Sequence, residues 1–180
     1  TVIPNKTFSK LKNLDGLNLI NNFIRNIEIN AFYGLPNLRE LYFDNNLLEY
    51  LNRGVFSTLK NLTILSLSKN RITKFAKGAF EGLDYSLEIL KIARNKLSVI
   101  KSYYFENLVQ LENLNLEINS LSLIERDSFK NLKRLKILNL AKNNLFRLKD
   151  GLFSNLINLE QLNLRKNLLT RLDKGLFQNL

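Results

Sequence analysis

The sequence contains no cysteine, histidine, methionine or tryptophan. A chain without cysteine has neither a disulfide framework nor a zinc-finger spacing. Histidine is the commonest general base and cysteine is a common nucleophile, so their joint absence speaks against most catalytic and transition-metal sites. We therefore expect no enzyme activity, no metal and no cofactor.

Long hydrophobic runs and an acidic excess are also missing. No apolar stretch approaches the 18 or so residues that cross a membrane, and the opening residues TVIPNKTF do not resemble a signal peptide. The 180 residues are 45% hydrophobic, which is enough for one sizeable core in one domain. Lysine and arginine number 27 against 16 acidic residues, and this formal charge of +11 favours anionic partners.

An internal repeat dominates what is present. The leucines of LKRLKILNLAKNNL, residues 132–145, change from a spacing of three to a spacing of two, and the same pattern occurs seven times. One asparagine series marks the period: Asn22, Asn46, Asn70, Asn95, Asn119, Asn143 and Asn167. A phenylalanine series accompanies it: Phe8, Phe32, Phe56, Phe80, Phe105, Phe129, Phe153 and Phe177. Both series step by 24 with one step of 25, which places one extra residue among Asp84, Tyr85 and Ser86.

Each part of the repeat has a physical role. Alternate residues such as Leu138 and Leu140 point into a core, which predicts a short strand, and stacked copies make a parallel sheet. The asparagine amide can satisfy buried backbone groups at the bend after the strand, and the phenylalanines fill the core from the return side. Glycines two residues before a phenylalanine suit a tight turn. These glycines are Gly54, Gly78, Gly151 and Gly175.

The pattern L-x-x-L-x-x-L-x-L-x-x-N-x-L-x-x-L, followed by Gly-x-Phe-x-x-Leu as in KGAFEGL and KGLFQNL, resembles the 24-residue "typical" leucine-rich repeat over nearly the whole chain. The resemblance implies an α/β solenoid, a leucine-rich repeat horseshoe with a parallel concave β-sheet and irregular convex return segments. Such repeats are commonest in Toll-like receptor, Slit-type and adhesion ectodomains. We therefore expect an extracellular glycoprotein, secreted or at the cell surface, that acts in adhesion or innate immunity and binds a protein ligand or co-receptor. An intracellular scaffold with the same repeats is a third possibility, after a protein-binding ectodomain and the polyanion-binding module considered below.

The spacing also makes the expected architecture specific. Residues 1–180 should form one solenoid of about seven and a half repeats, with seven short parallel strands and little regular helix. The extra residue should be absorbed beside the fourth strand without breaking either series. Family members usually end in cysteine-bonded caps, so we interpret this chain as the uncapped internal portion of a longer one.

Two glutamates are the best candidates for chemistry. Glu88 and Glu112 occupy equivalent positions of adjacent strands, where a separation of about 5 Å could mimic a retaining glycosidase. We interpret them instead as solvated charges compensated by Lys91 and Lys136, because no pocket-forming insertion accompanies them. No small-molecule substrate is expected.

The concave face is the leading candidate for protein binding. An exposed aromatic and two aliphatic residues beside a charge are typical of an interface centre. The candidate residues are Tyr42, Asp44, Ile64, Ser66, Ile89, Lys91, Asn115 and Glu117. Alternatively, the isoleucines are half buried at the strand start and Tyr42 is an ordinary surface tyrosine.

Charge distribution suggests a second site. The exposed sheet face carries eight basic and seven acidic residues, whereas the return path and edges carry 19 basic and nine acidic residues. A polyanionic glycan or nucleic acid would therefore bind the basic flank. The flank candidates are Lys74, Lys77, Lys101, Arg126, Lys149 and Arg171. The alternative is a well-solvated convex surface.

Two N-glycosylation sequons are present, Asn5-Lys6-Thr7 and Asn61-Leu62-Thr63. Two matches are no more than the composition gives by chance. Asn61 is the better candidate, because it lies just before a strand on an exposed edge.

Overall fold

The computed structural model describes residues 1–180 and contains thirteen short strands. Seven strands form one parallel sheet in which neighbours follow one another along the chain. They are β2 (Gly16–Asn18), β4 (Glu40–Tyr42), β6 (Ile64–Ser66), β8 (Ile89–Lys91), β10 (Asn113–Asn115), β12 (Ile137–Asn139) and β13 (Gln161–Asn163). The seven predicted concave strands are confirmed, because the middle residue of each points inward and its two neighbours point outward.

Six two-residue strands form three small parallel pairs on the return side, β1 with β3, β5 with β7 and β9 with β11. They are β1 (Val2–Ile3), β3 (Asn26–Ile27), β5 (Tyr50–Leu51), β7 (Lys74–Phe75), β9 (Val99–Ile100) and β11 (Leu123–Ile124). The remaining element is a 3₁₀-helix at Lys174–Phe177, and no α-helix is present. The return path is therefore irregular, as the sequence predicts.

The extra residue of the fourth repeat is absorbed in a turn before β8. The backbone N–H groups of Ser86 and Leu87 both donate to the carbonyl of Leu83. The strands on either side still pair in register, with Leu65 opposite Leu90. The prediction that neither series breaks at this point is confirmed.

The asparagine series forms a hydrogen-bonded ladder beneath the sheet. The amide nitrogen of Asn95 donates to the carbonyls of Leu67 in the preceding turn (2.9 Å) and Ile92 in its own turn (3.1 Å). Its amide oxygen accepts from the backbone N–H of Ile72 (3.0 Å). Asn95 is 8% exposed, so each of these bonds satisfies a backbone group that water does not reach.

The phenylalanine series forms a stack on the opposite side of the core. Successive ring centroids lie 5.9 to 6.4 Å apart, and the planes diverge by 4° to 28°. Phe32, Phe56, Phe105 and Phe153 are fully buried. The stack and the leucines belong to one continuous core that runs the length of the solenoid.

Two glycines outside the predicted set are needed for close packing of neighbouring turns. A Cβ on Gly82 would lie 2.6 Å from the carbonyl oxygen of Ser57, and its φ is +95°. A Cβ on Gly34 would come into similar conflict with the backbone of Ser9. Of the predicted turn glycines, Gly54, Gly78 and Gly151 have left-handed φ. Gly175 does not, because it lies within the 3₁₀-helix.

Candidate functional site

The outward residues of the concave sheet form rows that cross the strands, since each strand pairs in register with the next. Neighbouring members of a row lie about 4.8 Å apart, the usual spacing of paired strands. A partner that approaches the sheet therefore meets residues from several turns at once.

Tyr42 and Asp44 face this surface but are already engaged. The hydroxyl of Tyr42 donates to Glu40 (2.9 Å), and burial together with this carboxylate raises the pKa of Tyr42. The hydroxyl of Ser66 donates to Asp44 (2.7 Å). Ser66 is only 2% exposed, so it offers a ligand almost no surface.

Ile64 and Ile89 lie side by side on β6 and β8, and both are half-buried. Lys91 is exposed and forms no ion pair within the chain. Ser66 pairs with both Tyr42 and Lys91, so one strand separates that tyrosine from that lysine. The structure thus brings the central part of the predicted site together.

Asn115 and Glu117 continue the predicted site toward β10 and β12. Asn115 lies opposite Lys91, and its side-chain oxygen accepts from the backbone N–H of Glu117 (3.0 Å). The carboxylate of Glu117 accepts from Lys142 (2.7 Å) and Asn139 (3.5 Å). The bond from Lys142 holds the pKa of Glu117 below its usual range.

The two glutamates weighed for catalysis have different environments. Glu112 accepts from Lys136 (2.8 Å) and Arg134 (3.2 Å), and these bonds lower its pKa. Glu88 forms no ion pair, so the predicted compensation by Lys91 is wrong. The reason is that Glu88 directly precedes β8, whereas Lys91 is the last residue of that strand, two residues beyond Ile89.

The face is divided by charge, which a sum over the whole face conceals. We define the leading half as the residue before each strand and the first strand residue, and the trailing half as the outward residues from the strand's last position to the ladder asparagine. The leading half holds two basic and five acidic residues: Arg39, Lys136, Asp15, Glu40, Glu88, Glu112 and Glu160. The trailing half holds six basic and two acidic residues: Lys69, Lys91, Arg94, Lys142, Arg165, Lys166, Asp44 and Glu117. Net charges of −3 and +4 therefore face the same concavity.

Most trailing-half cations share one position and one backbone conformation. The residue before each ladder asparagine has left-handed φ in every turn, between 53° and 59°. This row consists of Asn21, Asn45, Lys69, Arg94, Ile118, Lys142 and Lys166. Of its four cations, only Lys142 forms an ion pair. Asparagine at two of these positions is the one sequence signal that could have revealed the row.

Three of the six predicted flank residues are engaged by neighbouring side chains. Lys101 pairs with Glu125 (2.9 Å) and Arg171 pairs with Asp173 (3.2 Å). Lys74 lies over the ring of Tyr50, 5.6 Å from its centroid. The other three predicted residues, Lys77, Arg126 and Lys149, are exposed and form no ion pair.

Both sequon asparagines are exposed. Asn5 accepts from the backbone N–H of Asn30 (3.2 Å), and the amide nitrogen of Asn61 donates to the carbonyl of Pro36 (2.8 Å). No helix of this structure has the length and apolar character to cross a membrane. No group of three or more Asp or Glu residues is placed to hold a metal ion.

One concave-sheet strand per turn, an asparagine ladder and a single elongated core define a solenoid protein of the repeat class. Two family models match, a leucine rich repeat model over residues 85–145 and 133–180, and a BspA type leucine rich repeat region over residues 1–107. The chain belongs to the leucine-rich repeat family. A search of curated proteins finds no match.

Solved structures share this fold. The structure of a TLR13–ssRNA13 complex matches 99% of this chain with 34% identity and a TM-score of 0.96. A leucine-rich repeat protein of Leptospira interrogans matches 97% with 32% identity and a TM-score of 0.84. Toll in the Drosophila Toll–Spatzle complex matches 97% with 23% identity and a TM-score of 0.86, which shows the fold alone. The chain spans 25%, 42% and 25% of these three chains respectively.

Proposed function

We propose that residues 1–180 form one ligand-recognition module in a receptor-type protein, and that it binds a protein partner on its concave face. The observation that carries the proposal is an open seven-stranded sheet whose two halves have opposite net charge. A protein partner can present acidic and basic groups to match both halves. A uniform polyanion would be repelled by the leading half.

The comparisons support a ligand-binding module of this type. The TLR13 structure is a complex with an RNA, the Toll structure is a complex with Spatzle, and both structures contain a chain of this fold. We propose an extracellular or lumenal location for this chain, and a binding role without catalysis.

Tyr42 and Lys91 are proposed as the centre of the site, because they flank Ser66 on three adjacent strands beside the two isoleucines. The test uses the full-length protein against a display library of extracellular proteins from the same organism. Affinity for the selected partner should fall at least about fivefold in the double variant Tyr42→Ala/Lys91→Glu. Circular dichroism checks that the variant is folded.

The matched control reverses two flank charges, Lys149→Glu/Arg171→Glu, and should leave that affinity unchanged. If the flank variant abolishes binding while the concave variant does not, the concave assignment is wrong.

A polyanion is the second candidate, and the row of trailing-half cations favours it. Lys69, Arg94 and Lys166 are exposed and unpaired at one position of the repeat, whereas the predicted flank is interrupted by acids. The probe is a labelled single-stranded oligoribonucleotide. Its affinity should fall steeply with salt, because each phosphate contact releases a counterion.

The variant Lys69→Glu/Lys166→Glu separates the two possible polyanion surfaces. If the trailing-half row binds the probe, this variant loses binding and Lys77→Glu/Lys149→Glu keeps it. The opposite result assigns the polyanion to the flank, and weak salt dependence rejects the polyanion candidate.

A further inference from the structure

A polar groove runs along the edge where the chain enters the sheet. It has a volume of about 510 Å³ and is lined by residues of four consecutive turns. Asn61, Thr63, Tyr85 and Ser86 lie among its lining residues, so the second sequon and the one-residue insertion share one surface.

Asparagine amides join neighbouring turns at this edge, from Asn37 to the carbonyl of Lys12 (2.9 Å) and from Asn61 to the carbonyl of Pro36 (2.8 Å). Ser86 holds the equivalent position of the fourth turn, 25 residues after Asn61, and its hydroxyl is buried without a hydrogen-bond partner. The asparagine bond is therefore not repeated at this turn.

The same insertion exposes an aromatic ring. Tyr85 is 85% exposed, more than any other large apolar side chain of the protein. It precedes Ser86 and lines the same groove as Asn61. One wall of the groove therefore offers an exposed ring face close to Asn61.

We propose that Asn61 carries an N-linked glycan whose first N-acetylglucosamine residues lie in this groove, packed on the exposed ring of Tyr85. The inference rests on the extracellular or lumenal location in the proposed function. The amide nitrogen of Asn61 displaces the pyrophosphate of a lipid-linked oligosaccharide at the sugar C1 and loses one proton. The nitrogen keeps one N–H, so the donor to the Pro36 carbonyl is retained.

Sugar chemistry fits a polar groove with one aromatic wall. A pyranose ring presents C–H groups on one face, which are attracted to the electron-rich face of a tyrosine ring, and hydroxyl and acetamide groups at its edge. Attachment at Asn61 also gives the sugar a high effective concentration at the groove, in the millimolar range for a short tether.

The test measures how well the folded protein shields the glycan. The full-length protein is produced in cultured mammalian cells, and glycopeptide mass spectrometry determines the occupancy of Asn61. The rate of glycan release by a peptide N-glycosidase is then compared, without denaturation, between wild type and Tyr85→Ala. Loss of one aromatic contact should accelerate release from Asn61 about fivefold.

Tyr33→Ala is the matched control, because Tyr33 is another exposed tyrosine (52%) and is absent from the groove. Tyr33→Ala should leave the native release rate unchanged. After denaturation, all variants should release the glycan at the same rate. Equal native rates for wild type and Tyr85→Ala would overturn the inference, as would an unmodified Asn61 in the secreted protein. Neither result bears on the ligand-binding proposal. Retention of the protein in the cytosol without any glycan would instead contradict the proposed location.

Discussion

At the scale of single residues, the position before each ladder asparagine is the most constrained. Every turn holds this residue in the left-handed region, and six turns place asparagine, lysine or arginine there. Ile118 is the exception, with φ of 53°. A β-branched side chain in this conformation brings its Cβ too close to the following carbonyl, at a cost of about 1–2 kcal/mol.

Ile118→Asn should therefore stabilise the protein. We expect the free energy of unfolding to rise by about 1 kcal/mol, measured by urea denaturation. Leu123→Asn is the control, because Leu123 is an aliphatic residue that is 41% exposed, whereas Ile118 is half-buried, and Leu123 lies in an extended strand. That change should give no gain. A loss of stability in Ile118→Asn would show that packing of Ile118 outweighs its backbone strain.

At the scale of elements, ion pairs connect the strands at one end of the sheet. Glu112 is bonded to Arg134 and Lys136, and Glu117 is bonded to Lys142. Both carboxylates have a lowered pKa because of these bonds. A group with a lowered folded-state pKa contributes stability above its unfolded-state pKa and loses it as the pH falls through the folded-state value.

The corresponding prediction concerns the stability of the protein at acidic pH. Stability should decline as the pH falls below the ordinary glutamate pKa of about 4.3. The decline should be shallower in Glu112→Gln/Glu117→Gln, which removes both lowered pKa values. Urea midpoints across this range measure the effect. Glu160→Gln is the control, because Glu160 lies on the same face without an ion pair. Identical slopes in all variants would exclude these pairs as the cause.

At the scale of the whole molecule, each sheet strand pairs only with those of the turns before and after it. Removing one complete turn should therefore preserve the fold, since the two new neighbours present the same register. Deletion of residues 113–136 should give a cooperative protein with a six-stranded sheet. Its urea m-value should fall in proportion to the surface removed.

Deletion of residues 113–134 is the matched control, because it removes nearly the same length but shifts the leucine pattern by two residues. Circular dichroism and urea unfolding should show it to be poorly folded. If both deletions fold equally well, contacts within a turn matter more than register between turns.

The sequence predicts the architecture well because the same few residues recur in every turn. The spacing of Asn95 and Phe105 from their counterparts locates the insertion, and the structure places it at the predicted turn. A leucine or asparagine of this pattern has one environment in all repeats, so repetition removes the ambiguity of a single short strand.

The surface is predicted less well, because its residues vary from turn to turn. A sum of charges over the concave face hides the division between its halves. Ser66 follows the outward alternation, yet its neighbours bury it and Asp44 accepts its hydroxyl hydrogen. Lysine and arginine carry no sequence signal for left-handed φ, so the row that contains Lys69 and Arg94 emerges only from the backbone.

The stacking of turns also determines how the molecule responds to tension along its axis. Each turn is joined to its neighbour by a pairing in the concave sheet, a ladder asparagine and a phenylalanine contact, and in three places also by a short return-side pair. Pulling along the axis loads these junctions between turns in series. The weakest turn yields first and releases its chain of about 24 residues, roughly 80 Å when extended. The protein therefore lengthens in discrete steps under force, with the intact turns still folded.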